Sequence, residues 1–271
     1  MQKIFYSLLS FLFVSTVYSQ EPAIQYGNNP SAGKYYNIRG IKMYCEIYGS
    51  GEPLLMIHGN GGSISSFSQN IPYFAKKYKV IAVDSRSQGR SIDINDSLSF
   101  EMMADDFSVL LDTLHIKSAY VLGWSDGGIN ALLLAIRHPE KVRKLASTGA
   151  NLWPDSTALI PSLWKEMNDQ YNVDFNKKFT TAKEKNDWKL FMLDFTQPHI
   201  PLSVLHTINC PAFIIGGDHD LIPVQHTTVI AQNIPNAVLW IVPNSGHATL
   251  QEHKDEFNKR VDEFFSNAVT Q

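Results

Sequence analysis

The chain has 271 residues, of which 44% are hydrophobic, and its 23 Lys and Arg against 26 Asp and Glu give a formal charge of −3. A chain of this length is within reach of a single α/β domain with a well-buried core. Because the charge is nearly balanced and no basic stripe or Lys/Arg run occurs, we expect no nucleic-acid partner.

The first residues have the pattern of a secretory signal peptide. Lys3 precedes a mostly apolar stretch at residues 4–17, and small or modest side chains offer a cleavage site before Gln20. The stretch is too short and too interrupted by serine to span a membrane. We therefore predict a signal peptide at residues 1–19, a periplasmic or secreted protein, and no stable membrane association after cleavage. A retained N-terminal anchor is the alternative.

A polar leader at residues 20–33 precedes strand and helix patterns that alternate along the rest of the chain. Short apolar, β-rich runs predict strands at residues 42–48, 54–58, 80–84, 119–123, 142–147, 212–216 and 238–242. Helical patterns lie at residues 67–77, 100–115, 127–138, 224–233 and 253–266. This alternation predicts an α/β domain over residues 34–271, with a mostly parallel central sheet flanked by helices.

One segment, residues 151–209, interrupts the alternation. It is rich in aromatic residues on mixed helical patterns and contains no convincing strand. Its position between two sheet strands predicts a short helical cap over the carboxyl ends of the strands, where ligands of open α/β sheets bind. The aromatic side chains could line that site, or they could form the core of the cap itself.

A five-residue motif predicts a nucleophile. Residues 123–127 read Gly-Trp-Ser-Asp-Gly and fit the Gly-x-Ser-x-Gly pattern of a strained turn that exposes a serine hydroxyl. The pattern is short, but here a predicted strand precedes it and a predicted helix follows it, as such a turn requires. We predict that Ser125 is the nucleophile, and the alternative is a serine in an ordinary glycine turn.

A serine hydroxyl needs a base, and the base needs an orienting carboxylate. His247 lies in a polar, glycine-containing loop after the last predicted strand and is the predicted base, whereas His226 and His253 are expected on helix surfaces. The loop after the preceding strand supplies two candidate acids, Asp218 and Asp220. Two Asp around one His are weak indications of a metal site, so we expect no metal and no organic cofactor.

The carbonyl attacked by such a serine also needs hydrogen-bond donors for its oxyanion. One donor is normally the backbone N–H after the nucleophile, which here belongs to Asp126. The loop at residues 58–62, His-Gly-Asn-Gly-Gly, is placed to supply the other, and we assign it to the backbone N–H of Asn60. His58 is expected to brace this loop.

These motifs together resemble the α/β-hydrolase superfamily over essentially the whole mature chain. The matching segments are residues 58–62, 84–91, 123–127, 217–220 and 246–247. The resemblance implies Ser125 as nucleophile, His247 as base, and an aspartate of the late loop as the third member of a triad.

Two positions depart from the pattern of that superfamily. The Gly-x-x-Asp spacing that family members keep favours Asp220 over Asp218 as the acid, yet Pro223 follows one residue too early. The other departure is Ser87, which stands where the family favours glycine.

The region at residues 122–151 is also similar to the valacyclovir hydrolase family, whose members cleave α-amino acid esters. In that family the aspartate matching Asp126 is associated with the α-ammonium group of the substrate. Two interpretations of Asp126 stay open, recognition of an ammonium group and capping of the following helix.

The predicted activity is hydrolysis of small carboxylic esters, with α-amino acid esters as one candidate class, through an acyl-enzyme. A lactonase or a hydrolase of carbon–carbon bonds would use the same triad and is the alternative within enzymes. A ligand-binding protein on a hydrolase scaffold is the alternative outside them. The sequence fixes neither the substrate nor the oligomeric state.

Overall fold

An eight-stranded sheet forms the centre of the protein in a computed structural model that describes residues 24–267. The strands are β1 (Gly33–Ile38), β2 (Ile41–Tyr48), β3 (Glu52–Ile57), β4 (Tyr78–Val83), β5 (Ala119–Trp124), β6 (Val142–Thr148), β7 (Ala212–Gly217) and β8 (Ala237–Val242). Their order is β1-β2-β4-β3-β5-β6-β7-β8. The pairs β1–β2 and β2–β4 are antiparallel and the other pairs are parallel, which confirms the predicted mostly parallel sheet.

Helices cover both faces of this sheet. They are α1 (Ile71–Phe74), α2 (Phe100–Thr113), α3 (Asp126–Arg137), α4 (Pro161–Asp174), α5 (Ala182–Thr196), α6 (Leu202–Leu205), α7 (Val224–Gln232), α8 (Thr249–Glu252) and α9 (Lys254–Ser266). Within residues 24–267, none of them is long and apolar enough to cross a membrane. The predicted signal peptide and the start of the predicted leader lie outside the described residues.

Alternate residues of the central strands supply two hydrophobic cores, because successive strand residues point to opposite faces. In β3, Leu55 and Ile57 belong to the core beneath α2, α3 and α7, whereas Leu54 and Met56 belong to the core beneath α1 and α9. All four side chains are fully buried. Burial on both faces explains why the parallel strands are near-continuous apolar runs in the sequence.

Two elements differ from the sequence-based expectation. The antiparallel edge strand β1 was not predicted, because its Gly-Lys-Tyr-Tyr-Asn-Ile sequence has no apolar run and most of its residues are exposed or partly exposed. The helix expected at residues 67–77 is instead a 3-10 turn at Ile64–Phe67 and the short helix α1. Pro72 has no backbone N–H and lies in the first turn of α1, so a helix cannot run continuously through it.

The segment between β6 and β7 contains α4, α5 and α6 and, as described, no strand. We call residues 149–211 the insertion. Its aromatic rings stack on one another in a chain, with centroids 4.6 Å apart for Tyr171 and Phe195 and 5.2 Å apart for Trp188 and Phe191. These aromatic side chains therefore pack mainly on one another, although they remain partly exposed.

Candidate active site

The site lies at the edge of the sheet where the parallel strands end. Ser125 follows β5, Asp220 follows β7 and His247 follows β8. The loop at residues 58–62 follows β3, which is the neighbour of β5. Because parallel strands end at the same edge, residues that are far apart in sequence meet there.

Ser125 sits on a strained turn. Its φ is 57° and its ψ is −120°, in a region that residues with a side chain rarely adopt. A Cβ atom on Gly123 would lie 1.9 Å from the Gly127 carbonyl oxygen, and one on Gly127 would lie 1.9 Å from the Ile57 carbonyl oxygen. Gly123 is therefore required for the turn to close on itself, and Gly127 for the turn to pack against β3.

The structure brings Ser125, His247 and Asp220 together in a hydrogen-bonded row. His247 Nε2 lies 2.9 Å from Ser125 Oγ, and His247 Nδ1 lies 2.6 Å from Asp220 Oδ1. Asp220 is 5% exposed and also accepts a hydrogen bond from the backbone N–H of Ile222. With Nδ1–H donating to the carboxylate, Nε2 is free to accept the proton of the serine hydroxyl.

The other candidate acid, Asp218, has a different set of partners. Its carboxylate accepts hydrogen bonds from the backbone N–H groups of Asn244 and Ser245, each at 3.0 Å. These bonds, the one from Asn244 above all, lower the pKa of Asp218 to about 2. Asp218 therefore holds the loop that carries His247, and Asp220 is the carboxylate that contacts the imidazole.

Two hydrogen bonds and one close backbone approach position the His247 loop. The indole Nε1–H of Trp124 donates to the His247 carbonyl oxygen at 2.9 Å, and Glu252 accepts from the backbone N–H of Gly246 at 2.7 Å. A Cβ atom on Gly149 would lie 2.8 Å from His247 Cε1, so that position leaves no room for a side chain.

The loop at residues 58–62 packs directly against Ser125. A Cβ atom on Gly59 would lie 2.9 Å from Ser125 Cβ. Among residues 24–267, the backbone N–H groups of Asn60 and Asp126 have no protein acceptor. Two unsatisfied donors beside a serine hydroxyl match the requirement for an oxyanion site.

Buried polar groups fix this loop. The Nε2 atom of His58 accepts the backbone N–H of Ser85 at 3.0 Å, while its Nδ1 donates to the Gly59 carbonyl oxygen at 2.7 Å. Burial lowers the pKa of His58 to about 4, so the ring is neutral at physiological pH. His58 therefore braces the loop.

The neighbouring segment at residues 84–91 is braced by Asp84, which accepts hydrogen bonds from the backbone N–H groups of Ile64 and Arg90. Ser87 has a φ of 67°, in the left-handed region where glycine has no steric penalty. This backbone conformation explains why glycine is favoured at the position of Ser87.

A cavity of about 250 Å³ opens beside Ser125 and His247. It is lined by residues of the elbow, of the insertion and of the loop after β7, namely Ser125, Asp126, Asn151, Leu159, Leu163, Met167, Phe191, Asp194, Gln197, Leu221, Ile222 and His247. A larger cavity of about 800 Å³ lies between residues 91–98 and α5, and neither Ser125 nor His247 lines it. The smaller cavity is therefore the candidate substrate site.

A second carboxylate, which the sequence did not predict as a site residue, lies opposite Asp126. Asp194 of α5 lines the same cavity, and its carboxyl group is in hydrogen-bonding contact with that of Asp126. Burial, followed by the charge of the other carboxylate, raises the pKa of Asp126 well above its usual value. Burial raises the pKa of Asp194 to about 6, although the Asn60 amide opposes this shift. No local pattern marks Asp194, because its partner is on a different helix.

The position of His226 differs from the sequence-based expectation. It was expected on a helix surface but is only 3% exposed, and its Nε2 accepts the backbone N–H of Leu152 at 3.0 Å. Burial lowers the pKa of His226 to about 4. Its function is to hold the start of the insertion against α7.

The fold and the arrangement at the strand ends define the class of this protein. It belongs to the α/β-hydrolase fold family, whose model matches residues 52–187. This confirms the resemblance identified from the sequence motifs.

Relatives that align with most of the chain are hydrolases. The chain is 28% identical to the serine hydrolase BPHL of Mus musculus over 266 residues, which cover 90% of this chain and 89% of the mouse protein. It is also 28% identical to 2-hydroxymuconate semialdehyde hydrolase of a Pseudomonas strain over 272 residues, which cover 89% of this chain and 96% of that protein. The chain is thus similar to enzymes with different substrates.

Solved structures agree in fold. A meta-cleavage product hydrolase from Pseudomonas fluorescens superposes with a TM-score of 0.71 at 24% identity, covering 88% of this chain and 98% of that chain. An enol-lactonase from Burkholderia xenovorans superposes with the same TM-score of 0.71 at 21% identity, covering 86% of this chain and all of the other.

Proposed function

We propose that this hydrolase cleaves small carboxylic esters through a covalent acyl-enzyme formed on Ser125. The observation that carries the proposal is the row of hydrogen bonds from Ser125 Oγ through the His247 imidazole to Asp220, at 2.9 and 2.6 Å. This arrangement gives a neutral serine the base that it needs for attack.

In the proposed mechanism, Ser125 Oγ attacks the ester carbonyl carbon and its proton passes to His247 Nε2. The N–H groups of Asn60 and Asp126 donate to the oxyanion of the tetrahedral intermediate. When the intermediate collapses, the bond to the alcohol breaks and the alcohol leaves with the proton from His247. Water then attacks the acyl-enzyme by the same route, releasing the acid and restoring Ser125. The Asp220 carboxylate orients the imidazolium.

We further propose that the preferred substrates carry a free α-amino group on the acyl side. Asp126 supports this proposal because its side chain is 4% exposed and lines the cavity next to the nucleophile. The helix-capping interpretation has less support, since the N-cap residue of α3 is Ser125 and no side-chain cap hydrogen bond occurs there. A buried carboxylate without a basic partner strongly favours binding of a cation.

The first test compares kcat/KM for phenylalanine methyl ester and for its N-acetylated counterpart. We expect at least a tenfold preference for the free amine, equivalent to about 1.4 kcal/mol, and no turnover by the Ser125→Ala control. Equal rates, or a preference for the acetylated ester, would contradict the amino-ester proposal while leaving a general carboxylesterase.

A second candidate function is cleavage of carbon–carbon bonds or of lactones by the same triad. It is favoured by the 28% identity to 2-hydroxymuconate semialdehyde hydrolase over nearly the whole chain. Stoichiometric labelling of Ser125 by a fluorophosphonate, with turnover of lactones or meta-cleavage products but not of linear esters, would support it. Labelling without turnover of any of these substrates would instead support a ligand-binding protein on the hydrolase scaffold.

A further inference from the structure

We propose that Asp194 and Asp126 together form a two-carboxylate site for the substrate's α-ammonium group, which displaces a proton that the two carboxyl groups share in the free enzyme. The inference rests on the proposed amino-ester activity and adds to it a specificity-determining residue from the insertion.

The first observation is an unpartnered oxygen. Asp126 is 4% exposed, and its Oδ2 atom accepts no hydrogen bond from any donor group of the described chain. The Asp126 carboxyl group as a whole is in contact with the Asn60 amide and with the Asp194 carboxyl, and the two acids can form a hydrogen bond with each other only when one of them is protonated. A buried carboxylate oxygen in this situation is a binding site for either a proton or a cation.

The second observation is that no lysine or arginine within residues 24–267 faces the pair. Of the described residues that line the cavity, the titratable ones are Asp126 from α3, Asp194 from α5 and His247 from the loop after β8. The remaining lining side chains are apolar, hydroxyl or amide groups. Within the part of the chain that the structure describes, His247 is the one lining group that can carry a positive charge. When charged it lowers the pKa of Asp194, but its imidazole is hydrogen-bonded to Asp220 and Ser125 and not to either carboxyl group of the pair.

The two acids titrate as a pair. Burial raises the pKa of both carboxyl groups, and for Asp126 the neighbouring carboxylate adds to this shift. Full ionisation of both groups is therefore disfavoured, and a state in which they share one proton is favoured. An ammonium group between the carboxylates can donate to both, and the shared proton then leaves to solvent.

The position of the pair also selects which part of an ester is recognised. Asp126 follows the nucleophile directly, so a cation held by it lies close to the carbonyl carbon that Ser125 attacks. This suits an amino group on the α-carbon of the acyl part. Since Asp194 belongs to the insertion, the same cation links the insertion to the elbow.

The test measures kcat/KM for phenylalanine methyl ester and for its N-acetylated form, and takes the ratio of the two values as the preference for the free amine. This ratio is compared among the native enzyme, Asp194→Asn and Asp187→Asn. Asp187 is a matched control because it is an exposed aspartate of α5 that pairs with Lys183. We expect Asp194→Asn to lower the ratio tenfold to a hundredfold, since it removes a charged hydrogen-bond acceptor, and Asp187→Asn to leave it unchanged. Stoichiometric fluorophosphonate labelling shows that each variant is folded.

A second readout is the proton balance of binding. Calorimetry of the amino ester with Ser125→Ala protein at pH ~6.5, in two buffers of different ionisation enthalpy, should show proton release on binding, and a smaller release when Asp194→Asn is present as well, because the charge of Asp194 then no longer raises the pKa of Asp126. Suppose that the ratio of kcat/KM for the free and the acetylated ester is ten or more in the native enzyme and is unchanged in Asp194→Asn, or that binding releases no proton. Either result would overturn the two-carboxylate site and leave the proposed function standing. A native ratio near one overturns both.

Discussion

Asp218 and Asp220 are separated by one residue, yet only Asp220 contacts the imidazole of His247. We predict that Asp220→Asn lowers kcat by about 10⁴-fold, because the amide would stabilise the wrong tautomer of His247 and could not balance an imidazolium. Steady-state kinetics with an activated ester would measure the change.

Asp218→Asn serves as the comparison for this prediction. It keeps the shape of the side chain and weakens the hydrogen bonds from Asn244 and Ser245 and the contact with His219, none of which involves the His247 imidazole, so its effect on kcat should be far smaller. If both variants lost activity equally, the assignment of Asp220 as the orienting acid would be wrong.

Individual site residues differed in how far the sequence could reveal them. Ser125, Asp220 and His247 could be proposed because each follows a predicted strand and belongs to a short motif. Asp194 could not be proposed, since it is one of several polar residues in α5 and belongs to no motif. Its importance comes from contact with Asp126, which only the packing of the insertion produces.

At the scale of elements, the turn between β5 and α3 depends on glycines that pack against β3. Alanine normally favours a helix over glycine by about 1 kcal/mol, but a Cβ atom on Gly127 would lie 1.9 Å from the Ile57 carbonyl oxygen. We predict that Gly127→Ala destabilises the protein by about 3 kcal/mol or more, measured by urea unfolding.

Gly40→Ala is the control for this clash. Gly40 has a φ of 89° in the turn between β1 and β2, and a Cβ atom there would meet nothing within 4 Å. Only backbone strain of about 1–2 kcal/mol is then expected. Equal losses in the two variants would mean that close packing against β3 is not the reason for glycine at position 127.

The sequence predicted the buried central strands well because burial on both faces leaves continuous apolar runs. The edge strand β1 was missed because its stability comes from pairing with β2, and its own residues are mostly polar or exposed. The prediction of one long helix after β3 was wrong because the apolar residues lie on two short elements, Ile64–Phe67 and Ile71–Phe74, and Pro72 in the first turn of the second cannot continue a helix from the first.

For the molecule as a whole, buried titratable groups set opposite trends of stability with pH. Asp84 and Asp194 have folded-state pKa values of about 6, above the usual value near 4, so they stabilise the fold below pH 4 and lose this effect as pH rises to 6. His58 and His226, with pKa values of about 4, destabilise the fold as pH falls from 6.5 towards 4.

Replacing Asp194 isolates one of these contributions. For each protein, the quantity of interest is the free energy of unfolding at pH 7 minus that at pH 4.5. We predict that this difference is larger for Asp194→Asn than for the native protein by an amount on the order of 1–3 kcal/mol. Denaturant unfolding at both pH values would measure it, with Asp187→Asn as the reference. An identical pH dependence in all three proteins would show that ionisation of Asp194 does not destabilise the fold.

The chain order of the triad has a consequence for biosynthesis. His247 follows β8, which lies at the edge of the sheet and pairs only with β7. On a ribosome, the proposed nucleophile after β5 and the proposed acid after β7 emerge before the proposed base does. Under the proposed mechanism, a nascent chain whose earlier strands have already paired still lacks a proton acceptor for Ser125, and reactivity requires translation of the final strand and of the loop that follows it.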